Sequence, residues 1–339
     1  MTAGSDPHGQ DGRGIPRAAA VVVVGLVAVL LVACGGSAVT AASSGGWSAP
    51  THPEPIDQQA GYTSIYGVSC PTSTFCAAVD ESGGALRWNG SAWSQPVTVS
   101  PNGTLNSVAC TSPRFCVALS SQQAVTFDGS SWSAPVAVGP APSGPTGGEY
   151  EVSCVSSTFC ASVNTAGVAS LFDGDTWGHD AVVDDGTADK PVQNISCATT
   201  TFCVVVSATG NIATFNGTAW TRTPTPGQSL LHSVSCPTAH FCMAVDLTGH
   251  ALLFDGSTWS PAPPMPGTGA LTFSVACPTV GFCKVARSDG SVATWQTDTW
   301  SPTTQVLTDG TLASAAISCA SARFCALVSS AGTAATWRA

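Results

Sequence analysis

One pattern of apolar and polar positions recurs seven times along most of the 339-residue chain. Each unit begins with an alternating stretch that reaches a Cys, passes through a short polar turn to Phe-Cys, and continues as an apolar run. A Gly-containing turn leads to a second alternating stretch ending in an aromatic residue, and in the first six units a Trp follows five residues later. Short alternating runs bounded by turn residues are typical of β-strands. The pattern therefore predicts four short strands per unit.

The spacing of the units predicts how these strands assemble. The first Cys residues of successive units are separated by 40, 44, 43, 39, 41 and 42 positions. Four strands in about 42 residues are typical of a propeller blade. A helical solenoid would need amphipathic runs of about ten residues, which the sequence lacks, and a β-helix would not need two hairpins per coil. We therefore predict an all-β fold over residues 45–339, a seven-bladed β-propeller with four-stranded antiparallel blades.

The seventh unit is incomplete, because it stops at Trp337-Arg338-Ala339 without a second Trp. The missing piece stands at the other end of the repeats, where residues 45–50 (GGWSAP) match residues 130–135 (SSWSAP). We expect the N-terminal strand around Trp47 to close the last blade and to cover a strand edge that would otherwise invite aggregation. The alternative is that Trp47 belongs to an unstructured linker.

Fourteen of the fifteen Cys residues form seven pairs with five residues between partners. Zinc ligands usually stand two to four residues apart, and redox-active pairs have two residues between the cysteines. Local disulfides are therefore favoured, and these persist in an oxidising compartment. The predicted disulfides are Cys70–Cys76, Cys110–Cys116, Cys154–Cys160, Cys197–Cys203, Cys236–Cys242, Cys277–Cys283 and Cys319–Cys325.

The unpaired cysteine, Cys34, follows an uncharged 15-residue run, 18–32, that is preceded by Arg13 and Arg17. Such a run is too short for a comfortable transmembrane helix and suits a signal peptide. The sequence Leu31-Val32-Ala33-Cys34 resembles the bacterial lipobox.

That resemblance implies that residues 1–33 are a lipoprotein signal peptide that is removed. Cys34 would then carry a lipid, and residues 34–44, rich in Gly, Ser and Ala, would form a flexible linker. The protein would be anchored in the membrane, at the outer face of the bacterial cytoplasmic membrane. An ordinary signal peptide with an incidental Cys34 is the alternative.

Charge narrows the range of partners. Charged residues make up 9% of the chain, and its formal net charge is −10 with only ten Lys and Arg. A chain with so few cations is unsuited to a phosphate backbone, so no nucleic-acid partner is predicted. It is equally unsuited to electrostatic docking on anionic lipids. We expect a monomer that needs no cofactor and no metal.

The turn sequence Phe-Asp-Gly-x-x-Trp, as at residues 127–132, resembles the Asp-box and kelch-type turns of other propellers. The resemblance implies a structural role for this turn and no particular activity. The disulfide turns and these turns lie on one face of a propeller and are nearly the same in every unit. The loops of the opposite face differ from unit to unit, so that face is the predicted binding face.

Candidate ligand-binding residues stand four positions before the first Cys of each unit, near the expected mouth of the central channel. Aromatic, amide and imidazole groups together suit a peptide or a carbohydrate, although they would also suit a plug that fills the channel. The set is Tyr66, Asn106, Tyr150, Gln193, His232 and Phe273, with Ala315 in the seventh unit.

Further polar residues are expected on the same rim, namely Asp80, Asn164, Asp246 and Arg287, either as ligand contacts or as solvated turn residues. The loop Asp184–Asp189 clusters carboxylates and raises the alternatives of a calcium site and an acidic solvent-exposed loop.

Sialidases, which are Asp-box propellers, use an Arg triad and a Tyr with a Glu partner. Here Arg87, Arg222 and Arg287 come from different positions in their units, so a converging triad is not expected. The pair Glu149 and Glu151 around Tyr150 is the one arrangement that looks catalytic.

We therefore predict no catalytic residue and a non-enzymatic, extracytoplasmic binding or scaffold propeller of the cell envelope. It would recognise a protein, peptide or glycan through the variable-loop face. The alternatives are a secreted carbohydrate-active enzyme, sialidase-like or of another glycoside-processing type, and an assembly factor for an envelope complex.

Overall fold

The computed structural model describes residues 45–53, 56–57, 61–101, 103–139, 150–184, 191–225, 230–267 and 269–339. All regular elements in these ranges are β-strands, which form seven four-stranded antiparallel sheets and one short hairpin. The first strands of successive sheets pack against one another around the ring. The predicted seven-bladed β-propeller is confirmed.

In blades 1 to 6 the strands follow chain order from the channel outward. Their bounds are Ile65–Thr72, Phe75–Asp80, Gly84–Trp88 and Val97–Thr98 in blade 1; Ser107–Ser112, Phe115–Leu119, Gln123–Phe127 and Val136–Ala137 in blade 2; Tyr150–Ser156, Phe159–Asn164, Val168–Phe172 and Trp177–Val182 in blade 3; Val192–Thr199, Phe202–Ser207, Asn211–Phe215 and Trp220–Pro224 in blade 4; Leu231–Thr238, Phe241–Asp246, Ala251–Phe254 and Trp259–Pro261 in blade 5; Thr272–Thr279, Phe282–Arg287, Ser291–Gln296 and Thr299–Gln305 in blade 6. A separate hairpin pairs Ile56–Asp57 with Gly61–Tyr62.

Blade 7 is assembled from both ends of the chain. Its inner strands are Ala315–Ser321, Phe324–Ser329 and Ala334–Arg338, and its outermost strand is Gly46–Trp47. Trp47 lies opposite Trp337 in this pairing, and their ring centroids are 6.0 Å apart. The predicted closure of the ring by the N-terminal strand is confirmed.

All seven predicted disulfides are present, and each joins the end of a first strand to the start of the second. Cys34, the predicted signal peptide and the predicted linker lie outside the described residues. In the described part of the chain we find no helix with the length and apolar character needed to cross a membrane.

The hydrophobic core lies between blades. Ala77 and Val79 of blade 1, for example, pack with Val108, Val125 and Phe127 of blade 2. Serine hydroxyls also join the first strands at five of the junctions between blades, where each accepts a hydrogen bond from the backbone N–H of the next blade's first Cys at 2.9–3.0 Å. These serines are Ser69, Ser153, Ser196, Ser235 and Ser318. Each blade is therefore stabilised mainly by its neighbours.

The Asp-Gly turns are held by their own carboxylates. Asp128 Oδ1 accepts hydrogen bonds from the N–H groups of Ser130 and Ser131 at 2.7 and 2.8 Å, and Gly129 supplies the positive φ of 100°. Asp173 and Asp255 make the same contacts.

The backbone N–H groups of these turns hold the pKa of all three carboxyls below the usual value. Asn89 and Asn216 replace the carboxylate in blades 1 and 4.

Blade 6 lacks this motif. Thr297 and Asp298 instead have positive φ angles of 49° and 60°, the geometry of a tight type I′ hairpin.

We expect the triple variant Asp128→Asn, Asp173→Asn, Asp255→Asn to be as stable as the wild type at pH 7, because Asn89 and Asn216 already make the same turn. A carboxyl whose folded pKa is lowered stabilises the protein above its unfolded value of about 3.9 and loses that contribution as the pH falls further. Urea unfolding from pH 5 to pH 2 should therefore show a smaller loss of stability in the triple variant. Parallel curves would contradict the assignment.

Candidate binding site at the mouth of the central channel

The channel-mouth cavity has a volume of about 490 Å³ and is lined by the first strands, or the residues just before them, of all seven blades. This volume lies within the range of about 300–1,000 Å³ that is common for ligand sites. The lining residues stand near the start of each first strand, away from the disulfide turns. The cavity is therefore on the face that carries the variable loops.

Five of the six predicted ligand-binding residues line this cavity: Tyr66, Asn106, Gln193, His232 and Phe273. Four of them, all except Asn106, occupy a β-bulge. In blade 1, for example, Ile65 pairs with Asp80 and Gly67 with Val79, so Tyr66 between them has no partner across the strand. The extra residue points into the channel while its predecessor stays in the core.

Tyr150 does not join this set. Blade 3 lacks the bulge, so Tyr150 pairs directly with Asn164 and Glu151 with Val163. Tyr150 is only 2% exposed and packs between blades 2 and 3, where its hydroxyl accepts a hydrogen bond from Asn164 Nδ2 at 3.4 Å. A shift of one residue exchanges the two faces of a strand, and blade 3 therefore presents Glu151 to the cavity instead.

His232 is held by one hydrogen bond. Its Nδ1 lies 2.8 Å from the backbone oxygen of Phe273, and because a carbonyl oxygen only accepts, Nδ1 carries the proton. Burial lowers the pKa of His232 below its usual value, so the ring is neutral at pH 7. Nε2 is consequently a hydrogen-bond acceptor.

Three neutral polar groups of the wall have unused hydrogen-bonding capacity. The side-chain amides of Asn106 and Gln193 make no hydrogen bond to any described residue. Ser314 Oγ is buried and also without a partner among the described residues. Such groups are suited to bind a polar ligand.

Glu151 is part of a network that links four blades. Its Oε2 accepts hydrogen bonds from Ser107 Oγ at 2.9 Å and from Asn194 Nδ2 at 3.3 Å. The same two side chains accept hydrogen bonds from the backbone N–H groups of Val152 and Val234. The network fixes the carboxylate on the cavity wall.

The other predicted rim residues support the loops in which they stand. Asp80, Asn164 and Asp246 are buried and accept backbone N–H groups of their own second-to-third turns. Arg287 is buried and donates to the carbonyl oxygens of Pro266 and Gly267. The structure gives these four residues a structural role.

The three arginines considered for a sialidase-like triad lie apart. Arg222 forms an ion pair with Asp184 at 2.9 Å, Arg87 stacks over the ring of Phe127, and Arg287 holds the loop described above. Glu149, the second acid of the enzyme alternative, is outside the described residues.

The acidic loop for which calcium binding was one alternative is described only at Asp184, which also accepts hydrogen bonds from Thr209 and Asn211. In the described ranges no group of three or more His, Cys, Asp or Glu side chains is placed to hold a metal ion.

A larger groove of about 770 Å³ lies where blade 7 meets blade 1. Its principal side chains already contact one another: Trp88 packs against Trp93 at 5.8 Å, and Arg338 donates to the backbone oxygen of Gly90 at 2.6 Å. Because only two blades contribute and these groups are engaged, we consider the channel-mouth cavity the better candidate site.

Comparison of the sequence with family models and with curated protein sequences gives no match. Solved structures share the fold at low identity. The structure titled "YCF48 bound to D1 peptide" is 16% identical with a TM-score of 0.65, over 86% of this chain and 95% of that one. The WD40 propeller domain of Doa1 is 13% identical with a TM-score of 0.69, over 87% and 97%. YCF48 from Cyanidioschyzon merolae is 13% identical with a TM-score of 0.64, over 86% and 99%.

Proposed function

We propose that this protein is a non-enzymatic binding and scaffold propeller that holds a segment of another protein in the channel-mouth cavity. The observation that carries the proposal is a cavity lined by all seven blades in which the amides of Asn106 and Gln193 are unused. A side-chain amide offers the same donor and acceptor as a peptide bond. These residues can therefore pair with an extended backbone that enters the cavity.

The rings of Tyr66 and Phe273 stand beside the polar groups in the cavity wall and would suit the side chains of a peptide as well as the face of a sugar. One observation favours a peptide over a glycan. One of the solved structures with this fold, that of YCF48, contains a bound peptide.

The cellular setting is part of the proposal. The seven disulfides suit an oxidising, extracytoplasmic compartment. The lipobox-like sequence ending at Cys34 would tether the chain to the outer face of the bacterial cytoplasmic membrane. The ligand would then be a segment of an envelope or membrane protein.

The test is selection of a displayed random-peptide library on the full chain. In the double variant Asn106→Trp, Gln193→Trp two indoles fill the cavity, and enrichment should fall by about tenfold or more. Thr221→Trp is the matched control, because Thr221 is exposed on the outermost strand of blade 4. Thermal melting of both variants checks the fold.

Failure of the wild type to enrich any peptide, or undiminished enrichment by the double variant, would overturn the proposal. Turnover of fluorogenic glycosides that disappears in Glu151→Gln would favour the carbohydrate-active enzyme instead.

A further inference from the structure

Glu151 places a carboxylate in the described wall of the channel-mouth cavity. Among the described residues that line the cavity, it is the only acidic side chain, and none of the others is Lys or Arg. The equivalent positions in the other blades are neutral: Gly67, Ser107, Asn194, Ser233, Ser274 and Ala316. The charge therefore comes from one blade and breaks the seven-fold regularity of the wall.

This carboxylate is positioned by its hydrogen-bond network. Two of its hydrogen-bond donors, Ser107 and Asn194, belong to the blades on either side and are neutral. Hydrogen bonds from donors on two packed neighbours fix the orientation of a carboxylate. Glu151 is thus a fixed carboxylate on the wall of a cavity that is large enough for a ligand.

The aromatic part of the wall favours the same class of ligand. Tyr66, His232 and Phe273 line the cavity together with Glu151. Cations bind well to aromatic faces, and a carboxylate is the strongest acceptor for an ammonium or guanidinium group. The formal net charge of the whole chain is −10, which adds a long-range attraction for cationic ligands.

We infer that the channel-mouth cavity selects a segment that carries a cationic nitrogen donor, which binds to the carboxylate of Glu151. The donor is a Lys side chain, an Arg side chain or a free amino terminus, all of which share this chemistry. The inference rests on the proposed function and names the feature of the ligand that the site recognises.

The test measures the affinity of the full chain for four synthetic peptide pools of equal length by fluorescence anisotropy. Three pools are acetylated and amidated at their ends and contain Lys, Arg or norleucine at one central position. The fourth pool contains norleucine and has a free amino terminus. We expect one or more of the cationic pools to bind at least about tenfold more tightly than the capped norleucine pool.

Glu151→Gln should remove that preference, because glutamine keeps an acceptor oxygen for Ser107 and Asn194 but lacks the charge. Asp175→Asn is the matched control. It removes one negative charge from an exposed turn next to Asp173, on the face away from the cavity, and it should keep the preference. The preferred pool identifies the source of the cation.

A wild-type chain that binds the capped norleucine pool as tightly as the cationic pools would overturn the inference, as would a preference that survives in Glu151→Gln. If the cavity-filling variant Asn106→Trp, Gln193→Trp loses binding while Glu151→Gln does not, the peptide site stands and only the role of Glu151 fails. If the cavity-filling variant binds every pool like the wild type, the proposed function fails as well.

Discussion

Trp47→Ala is expected to lower the free energy of unfolding by about 3 kcal/mol, the lower end of the range for a Trp truncated to Ala. Trp47 is partly exposed, but it packs against Trp337 in the strand pairing that joins the N-terminal segment to blade 7, and the Thr51–Ala334 bridge continues this pairing. Loss of the indole releases this strand, exposes the edge of Ala334–Arg338 and weakens the contact between blades 6 and 7. Chemical denaturation under non-reducing conditions measures the effect.

Trp132→Ala is the matched control, because Trp132 packs on Phe127 in blade 2 just as Trp47 packs on Trp337. Its blade is built from one continuous stretch of chain, so its truncation removes a contact without opening the ring. We therefore expect a smaller loss, together with slower proteolysis near the N-terminal strand than in Trp47→Ala. Equal losses in the two variants would show that the closing strand is no more important than any other outer strand.

The architecture was predictable because each blade repeats the same chemistry. Cys, Phe and Trp recur at nearly constant spacing, and the incomplete seventh unit, together with the stray Trp47, specified how the ring closes. Neighbouring blades bury equivalent residues, so an error in one unit was corrected by the other six. The predicted ligand-binding set could not be checked against the other units in this way. It depended on which residues of each first strand face the channel, and that register is set separately in each blade.

Tyr150 illustrates the limit. Counting back from the Cys assumes the same number of residues in every first strand, whereas blade 3 lacks the bulge residue. The signal was present in the sequence: the position five before the Cys is apolar in blades 1, 2, 4 and 5, with Ile65, Leu105, Val192 and Leu231, but is Glu149 in blade 3. Aligning the units on that buried residue would have placed Tyr150 in the core and Glu151 at the cavity.

Lys284 was missed for a different reason. The residue after the second Cys is Ala, Val or Met in the other six units, so a Lys there stands out. What it contacts depends on how blade 6 meets blade 7, and no pattern within one unit encodes that geometry. In the structure Lys284 is 2% exposed and lies beneath the Trp pair that closes the ring.

Lys284→Met is expected to stabilise the protein by about 2 kcal/mol at pH 7. The ammonium has no carboxylate partner among the described residues: Nζ donates to Thr294 Oγ1 at 3.1 Å and lies 3.9 Å from the ring centroid of Trp337 and 5.7 Å from that of Trp47. Burial lowers the pKa of Lys284 to about 8. This shift corresponds to a free-energy cost of about 3 kcal/mol for keeping the buried ammonium charged. Cation–π attraction to the two tryptophan rings offsets about 1 kcal/mol of this cost. Methionine fills the same space without a charge to desolvate.

The pH dependence distinguishes this explanation from a simple packing effect. A lysine whose folded pKa is about 8 and whose unfolded pKa is about 10.4 binds more protons in the unfolded state between these values. Wild-type stability should therefore rise relative to Lys284→Met as the pH increases from 8 to 10, until the two proteins are nearly equal. Unfolding free energies at pH 7, 8, 9 and 10 provide the comparison. If Lys284→Met is the less stable protein at pH 7, the tryptophan rings bind the ammonium more strongly than water does. The contacts of Lys284 would then help to hold the N-terminal strand in the ring.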